Sequence, residues 1–348
     1  DHGFGDSFTY GSTSKDSSDW RSSINLRDSG TDDPFSSSSR RSCPKWESYT
    51  VFHKYDEEML FLDRITAQKL QEAESLRSIR ACPRSISERI VYKMTTARSK
   101  KLREFQRNPF HELESAYVAQ ICLTWEALCW NYKYFKLLRA SRKEFDPGCP
   151  SYVAQQFQQF QVLLQRYIEN EPYEHGRRPE IYARIRSSVP KLLQVPEYRG
   201  GEEGEGNCPR IPSNSFLGIL EDSMRIFMCF LKQDKKSHSL VNRVVDLLRR
   251  RGCRKGSTLV LLLRKMNSKK RAKVKEVRRR SRKKVSKEEE MEVLVALIEL
   301  KVVSRVLRMK ELNGERLQWC ECKMSKVRVS DGKVVVQRDS APLFFPAH

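Results

Sequence analysis

The chain has 348 residues, and its 66 Lys and Arg residues outnumber its 44 Asp and Glu residues, which gives a formal net charge of +22. This length allows one large domain or two smaller ones. The sequence has no run of eighteen apolar residues and therefore predicts no membrane span. Residues 232–287 hold 23 Lys or Arg and three acids, so the rest of the chain is close to neutral. This distribution is unlike that of a protein that is basic throughout, such as a core ribosomal protein.

The first 45 residues are expected to form a disordered, Ser-rich arm. Thirteen serines fall between residues 1 and 42, and no apolar residue recurs there at a helical or strand spacing. Such a composition cannot bury enough apolar surface to offset the entropy lost on ordering. Within the arm, Ser42 follows two arginines and is a candidate phosphorylation site.

An aromatic-rich helical domain is predicted over residues 46–196. Three segments, 49–76, 109–141 and 151–173, repeat apolar residues at spacings of three and four, which is the period of an amphipathic helix. Of the 33 aromatic residues, 21 fall between residues 44 and 182. This density of large side chains is typical of the core of an antiparallel helical domain.

Residues 197–212 are rich in Gly and Glu and are predicted to form a linker to a second helical part, residues 213–346. In this part we expect one helix at about 213–232, another at about 239–251 and a third that starts near Ser257.

The C-terminal third is predicted to contain a buried helix and a β-hairpin. A capping box of Ser286 and Glu289 starts the helix, which is apolar on most sides and is expected to span 288–312. Alternating valines on both sides of an Asp-Gly pair predict the hairpin over 327–336.

Together these elements predict an all-α fold: a multi-helix antiparallel bundle of long amphipathic helices, with a small C-terminal β-hairpin and a disordered N-terminal arm. The pattern leaves open whether 46–196 and 213–346 pack as one body, although the buried helix needs a partner that the first part could supply.

Several blocks of the sequence resemble a plant-specific family known as domain of unknown function 1666. They are "ELESAYVAQICLTWEALCWNY", "SYVAQQFQQFQVLLQRYIENEPY" and "RPEIYARIRSSVPKLLQVP", followed near the C-terminus by "KVVSRVLRMKELNGERLQWCECKMSKV" and "PLFFP". The blocks are long and distinctive, and the resemblance covers about residues 46–346. Members are often labelled as similar to a large-subunit (60S) ribosomal protein. The family has no established activity, so the resemblance implies no catalytic residues.

The sequence does not provide a set of catalytic residues, and we expect no enzyme activity, no cofactor and no metal site. It has neither a glycine-rich phosphate loop nor a nucleophile elbow, and "HELES" at 111–115 lacks the second histidine of a zinc-protease helix. The thiols of "CEC" at 320–322 have no companion pair at zinc-finger spacing. The ten cysteines are irregularly spaced and are expected to be free thiols.

A cluster of charged residues of both signs lies at the turn around Pro172. It contains Glu169, Glu171, Glu174, Arg177 and Arg178. We expect these residues to form surface ion pairs between two helices rather than a binding site.

The clearest functional feature is the basic segment 264–287, which includes "KKRAKVKEVRRRSRKK". Its candidate contact residues for a nucleic acid or an import receptor are Lys269, Lys270, Arg271, Lys273, Lys275, Arg278, Arg279, Arg280, Arg282, Lys283 and Lys284. Ser281 lies inside the run and is a second candidate phosphorylation site, because a phosphate there would add negative charge.

Four interpretations of the basic segment compete: a phosphate-backbone contact, an import signal, a membrane-surface patch and a solvated helix without a specific partner. Counterion release would give the first its affinity for a nucleic acid, with RNA favoured over DNA. The absence of aromatic residues between Phe230 and Trp319 excludes base stacking and predicts weak sequence specificity. A membrane surface is disfavoured, because Val274, Val277 and Val285 are the only sizeable apolar residues in or beside the run.

We therefore expect a non-enzymatic protein that associates with nucleic acid or with the ribosome through this segment. The alternative is a helical scaffold that binds a protein partner through helices 109–196, with the basic run serving only as a nuclear-localisation signal. Free thiols favour a reducing intracellular compartment, the nucleus or the cytosol. The sequence starts at Asp1, so a targeting segment ahead of it would not be visible.

Overall fold

The structure is a computed structural model that describes residues 44–81, 109–141, 148–200, 209–236, 256–280, 286–330, 332–337 and 343–346. These residues form the helices α1 (Pro44–Ala81), α2 (Pro109–Ser141), α3 (Ser151–Asn170), α4 (Arg178–Ser188), α5 (Ser213–Lys236), α6 (Gly256–Arg280), α7 (Lys287–Val306) and α8 (Gly314–Lys326). A 3-10 turn, Glu171–Tyr173, follows α3. The strands are β1 (Cys149–Pro150), β2 (Arg210–Ile211), β3 (Val327–Ser330) and β4 (Lys333–Val336). The predicted all-α fold with a C-terminal hairpin is confirmed. Residues 1–43 of the predicted N-terminal arm and the predicted helix at 239–251 lie outside the described residues, and the last two residues of the predicted arm, Pro44 and Lys45, belong to α1.

The pair α1 and α2 forms the first layer of the bundle. The two helices run antiparallel, because Lys69 of α1 pairs with Glu112 of α2 while Asp63 accepts a hydrogen bond from Gln120 further along. α2 is the central helix, and its residues from Ala116 to Cys129 are all buried. It therefore needs apolar partners on every side, and α1, α4, α5 and α7 supply them.

Aromatic side chains connect the two sides of the predicted linker. Trp125 of α2 stacks on Phe227 of α5 with ring centroids 5.9 Å apart, and Phe157 of α3 meets Phe216 of α5 edge to face at 5.5 Å. The side chains of both parts belong to one hydrophobic core, and the described residues lie in a single compact unit, 43–348. α3 and α5 run parallel, since Tyr167 near the end of α3 contacts Phe230 near the end of α5.

The helix α7 is buried on most sides, as predicted. The Ser286 side chain accepts a hydrogen bond from the Glu289 backbone N–H at 3.2 Å, which confirms Ser286 as the N-cap of the helix. The helix ends at Val306, six residues before the predicted end at 312. Beyond Leu307 the backbone hydrogen bonds span three residues instead of four, from the Arg308 N–H to the Arg305 carbonyl and from the Met309 N–H to the Val306 carbonyl. Arg264 of α6 donates its Nε–H to the Leu307 carbonyl at this end, at 2.9 Å.

Two short antiparallel pairings complete the structure. β1 pairs with β2, and Gly148 before β1 has a φ of +66°, where a Cβ atom would lie 2.4 Å from the Ile211 carbonyl oxygen. Only glycine fits so close an approach. β3 and β4 form the predicted hairpin, which packs against α6 and α7.

The 189–198 segment after α4 is irregular but firmly held. Leu193 has a φ of +63°, an unusual value for a residue with a branched side chain. Its carbonyl accepts hydrogen bonds from Thr124 Oγ1 at 2.7 Å and from the Tyr55 hydroxyl at 3.3 Å. The Tyr55 hydroxyl in turn accepts from the Val195 N–H at 2.9 Å. Side chains of α1 and α2 thus replace the hydrogen bonds that regular structure would have supplied.

Candidate nucleic-acid interface

The helix α6 carries the described part of the basic segment. Leu263, Asn267 and Val274 recur at spacings of four and seven and lie on its buried face, against α7. Asn267 donates its side-chain N–H to the Leu300 carbonyl at 3.0 Å. This face fixes the orientation of the helix and thereby decides which cations point inward.

Three cations of the run point toward the protein body. Arg264 donates to Leu307, the C-terminal residue that caps α7. Lys270 donates its Nζ to the carbonyls of Met324 and Val327 at the end of α8, at 2.9 Å for Val327. These carbonyls carry the negative ends of two helix dipoles, so Arg264 and Lys270 stabilise the fold rather than meet a partner.

Arg271 also lies on the inward side. Its guanidinium is half-buried, and burial lowers its pKa. It is close enough to Arg308 to lower the pKa of that residue as well, after the larger effect of burial. Of the predicted contact residues, Lys270 and Arg271 are therefore the two that the structure turns away from the outer surface.

The remaining described cations of α6 point outward. They are Lys265, Lys269, Lys273, Lys275, Arg278, Arg279 and Arg280, and all seven are exposed. Lys265, Lys269 and Lys273 are spaced four residues apart, which on a helix means about 6 Å along the axis. From Lys265 to Arg280 the cationic surface is about 22 Å long.

Glu276 is the only acid of α6, and it lies among these cations. It pairs with Arg280 at 3.0 Å and with Arg279 at 3.8 Å. Such exposed pairs contribute little to stability, so they can exchange for contacts with a phosphate. Among the described residues, no ion pair is formed by Lys265, Lys269 or Lys273.

The β-hairpin adds a residue that sequence reasoning missed. Arg328 of β3 is exposed, and together with Lys273 it lowers the pKa of Lys270, for which burial is the larger cause. Arg328 therefore lies near Lys270, where the hairpin packs against α6. Its distance in sequence from the basic run concealed this, and only the pairing of α6 with the hairpin brings it near.

Five predicted site residues lie outside the described residues. They are Ser42, Ser281, Arg282, Lys283 and Lys284. The cationic surface is accordingly defined by the seven outward cations of α6 and by Arg328.

A buried ionic cluster lies at the centre of the bundle and was also missed. Asp234 of α5 pairs with Arg305 at 2.9 Å and with Arg308 at 2.8 Å, and it accepts a hydrogen bond from the Tyr117 hydroxyl at 3.3 Å. Arg178 lies 3.5 Å from the same carboxylate. Burial alone would raise the pKa of Asp234, but Arg305, Arg178 and Arg308 outweigh it and hold the pKa below its usual value.

The prediction that the charged residues around Pro172 form surface ion pairs is wrong for two of them, which form a buried pair. Arg178 pairs with Glu171 at 3.0 Å, and the two side chains are only 5% and 7% exposed. They are buried because Arg178 belongs to the cluster of Asp234, a residue that is far away in sequence and close only in the fold.

A second buried ionic cluster, of one lysine and two glutamates, joins three helices. Lys323 of α8 contacts Glu126 of α2 and lies 3.6 Å from Glu299 of α7. Burial works against the charge of Lys323, yet the two carboxylates raise its pKa. At this point of the interior one ammonium group lies between two carboxylates.

The histidine of "HELES", His111, pairs with a carboxylate of another part of the chain. His111 Nδ1 lies 2.9 Å from Glu311 Oε1 across a cleft of about 690 Å³ between α1, α2 and the connection from α7 to α8. In the part of the chain that the structure describes, no group of three or more His, Cys, Asp or Glu side chains could hold a metal ion. No described helix is both long and apolar enough to cross a bilayer.

Comparison with protein-family models gives one decisive match. Residues 111–346, from the first turn of α2 to the C-terminal segment, match the model described as "Protein of unknown function (DUF1666)". This range covers more than half of the chain. The chain belongs to the DUF1666 family. The resemblance noted in the sequence blocks is thereby confirmed for this family.

The DUF1666 region includes the candidate interface on α6, the hairpin and both buried ionic clusters, whereas α1 precedes it. Comparison with curated proteins gives no match, and comparison with solved structures gives none either.

Proposed function

We propose that this DUF1666 protein is a non-enzymatic nucleic-acid-binding protein whose contact surface is the outward face of α6 together with Arg328. The observation that carries the proposal is the division of the basic run. Arg264 and Lys270 bind helix ends, while seven other cations of α6 stay exposed. Among them Lys265, Lys269 and Lys273, four residues apart, form a row along the helix that suits successive phosphates, and counterion release supplies affinity to such a contact.

The chemistry of this face favours a backbone contact over base recognition. α6 has no aromatic side chain on which a base could stack, and its one amide, Asn267, is buried and bound to Leu300. Bases are read by stacking and by side-chain hydrogen bonds. We therefore expect weak sequence specificity. Within this proposal the nucleic acid is RNA rather than DNA, and a ribosome-associated role is included in it.

The test is a titration of a labelled RNA with the full chain and with Lys269→Gln/Lys273→Gln/Lys275→Gln, followed by fluorescence anisotropy at several salt concentrations. Losing three phosphate contacts should weaken binding about tenfold and reduce the slope of log K against log salt by about two to three. A matched variant, Arg166→Gln/Lys191→Gln/Lys232→Gln, removes three exposed cations from other elements and should bind as the wild type does.

The proposal is overturned if the α6 variant binds RNA like the wild type, or if the matched variant loses as much affinity. The scaffold alternative makes the opposite prediction. Under it the wild type binds no RNA, a tagged fragment 232–287 still enters the nucleus, and a protein partner crosslinks to helices 109–196. The two functions are thus separated by whether RNA or protein is recovered from crosslinked cells.

A further inference from the structure

The first half of α6 has an exposed apolar stripe that nucleic-acid binding does not explain. Leu259, Leu262 and Met266 are 48%, 52% and 40% exposed, and Leu261 beside them is 42% exposed. The spacings of three and four place Leu259, Leu262 and Met266 on one side of the helix. The buried face of α6, with Leu263 and Asn267, points elsewhere. These apolar residues therefore do not belong to the core.

The same stripe continues into the cationic surface. Continued at spacings of three and four, the stripe passes through exposed Lys269 and Lys273, then through partly buried Glu276, which pairs with exposed Arg280 at the end of the helix. Within α6 no acid precedes Glu276. One side of a single helix is thus apolar over its first turns and cationic over the rest. A phosphate backbone would meet the cations and leave the leucines in water, whereas a partner that is both apolar and anionic would meet both.

The shape of the exposed side of α6 favours a lipid bilayer over a rigid protein as the partner. A single exposed helix is convex, so a rigid protein would need a matching groove, whereas a lipid bilayer deforms around it. Amphipathic helices lie in the plane of the bilayer interface, with apolar side chains at the boundary between headgroups and acyl chains. Clusters of Lys and Arg on such helices bind anionic headgroups. The hairpin beside α6 presents a similar pair, exposed Val335 opposite exposed Arg328.

We propose that α6 docks this protein peripherally on an anionic lipid bilayer. Leu259, Leu262 and Met266 insert at the interface, while Lys265, Lys269 and Lys273 contact lipid headgroups. This inference goes beyond nucleic-acid binding and rests on the apolar residues, which that function does not use. Because both partners need the cations, RNA and the bilayer compete for α6.

The valines of the basic run alone do not predict this surface. Val274 is buried in the core and Val277 is partly buried against it. The apolar residues that matter precede the run, and their exposure follows from the orientation that α7 imposes on α6.

The experiment is vesicle co-sedimentation of the full chain, using phosphatidylcholine vesicles and vesicles of phosphatidylcholine with phosphatidylserine in a two-to-one ratio. The wild type should bind the anionic vesicles and not the neutral ones, and added RNA should release it. Leu259→Gln/Leu262→Gln/Met266→Gln should bind the anionic vesicles at least about tenfold more weakly, because three apolar side chains leave the interface. Lys269→Gln/Lys273→Gln/Lys275→Gln should also lose binding, by about fivefold for each headgroup contact removed.

The matched control is Leu60→Gln/Leu137→Gln/Val162→Gln, which replaces three exposed apolar residues on α1, α2 and α3 and should bind vesicles as the wild type does. Measuring RNA binding of the α6 apolar variant separates this inference from the proposed function, since that variant should keep its RNA affinity. Vesicle binding that survives the apolar substitutions, or that is absent in the wild type, overturns the inference. It is also overturned if the apolar variant is less stable or changes its oligomeric state without vesicles, because the stripe is then covered by protein.

Discussion

Two neighbouring lysines show how one position in a helix decides the role of a charge. Lys269 is exposed on the outward face of α6, whereas Lys270 donates to the carbonyls of Met324 and Val327. The two differ by 100° around the helix axis, which is enough to turn one toward solvent and the other toward the end of α8. Burial and two neighbouring cations lower the pKa of Lys270, and the carbonyls that it binds compensate for this environment.

Replacing these lysines one at a time should separate stability from binding. Lys270→Met leaves the carbonyls at the end of α8 without their donor and should lower the free energy of unfolding by about 1–2 kcal/mol, with RNA affinity nearly unchanged. Lys269→Met should weaken RNA binding and leave stability within about 0.5 kcal/mol. Urea denaturation and RNA titration of both variants measure the two effects. Equal losses of stability would show that Lys270 is not a structural residue.

At the scale of elements, the 189–198 segment shows how side chains hold an irregular backbone in place. Leu193 keeps its left-handed conformation because Thr124 and Tyr55 bind its carbonyl, and Asn131 binds the chain further on through Pro196 and Tyr198. Strained conformations persist only where the surroundings determine them from several sides. Here those surroundings belong to α1 and α2.

The donors to Leu193 can be removed singly and together. Tyr55→Phe and Thr124→Val should each lower the free energy of unfolding by about 1 kcal/mol, because a buried carbonyl or N–H loses a partner. The double variant should lose more than the sum, since the Leu193 carbonyl then has no remaining side-chain donor. Denaturant unfolding of the double-mutant cycle tests this. Strictly additive losses would show that the two hydroxyls do not act on a common carbonyl.

The helices themselves were predictable because each carries a local signal. Apolar residues at spacings of three and four located α1, α2 and α3, and Ser286 with Glu289 located the start of α7. The end of α7 was not predictable from its own residues, and the carbonyl of its C-cap residue Leu307 is bound by Arg264 of another helix. Interactions between distant parts of the chain leave no local pattern, and they decide such boundaries.

The candidate site was predictable only in part, for the same reason. Composition identified the basic segment, but it could not separate Lys265 and Lys269 from Lys270 and Arg271, because the buried face of α6 depends on its packing against α7. Arg328 enters the site only through the hairpin. The exposure of Leu262 and its neighbours likewise depends on which side of α6 the core covers.

Over the whole molecule, the charges fall into two groups with different roles. Seven cations of α6 lie on the outer surface, whereas the interior contains paired charges: Asp234 with its arginines, and Lys323 with Glu126 and Glu299. A third pair, Asp63 with Arg186, joins α1 to α4 at 2.9 Å. Among the described elements, these contacts connect α1, α2, α4, α5, α7 and α8. A buried charge is tolerated when it is paired, so removing one partner is costly.

The cluster around Asp234 should make stability depend on pH in a definite direction. The pKa of Asp234 is lower in the folded protein than in the unfolded chain, where it is about 3.9. Ionised Asp234 therefore stabilises the fold above that value, and its contribution is lost as the pH falls through the lower folded pKa. At pH 7, Asp234→Asn removes a carboxylate from two buried arginines, Arg178 and Arg305, and from the partly buried Arg308, and should lower the free energy of unfolding by about 3–5 kcal/mol.

Urea denaturation of the wild type and of Asp234→Asn at a series of pH values tests this dependence. The difference in unfolding free energy between the two proteins should stay constant from neutral pH down to about pH 5. It should shrink below about pH 4, since only the wild type has the Asp234 carboxylate, which is protonated there. Asp222→Asn, at an exposed aspartate paired with Arg225 at 2.8 Å, is the control and should cost less than about 1 kcal/mol at any pH. A difference between wild type and Asp234→Asn that grows on acidification would mean that the arginines do not hold the folded pKa of Asp234 down.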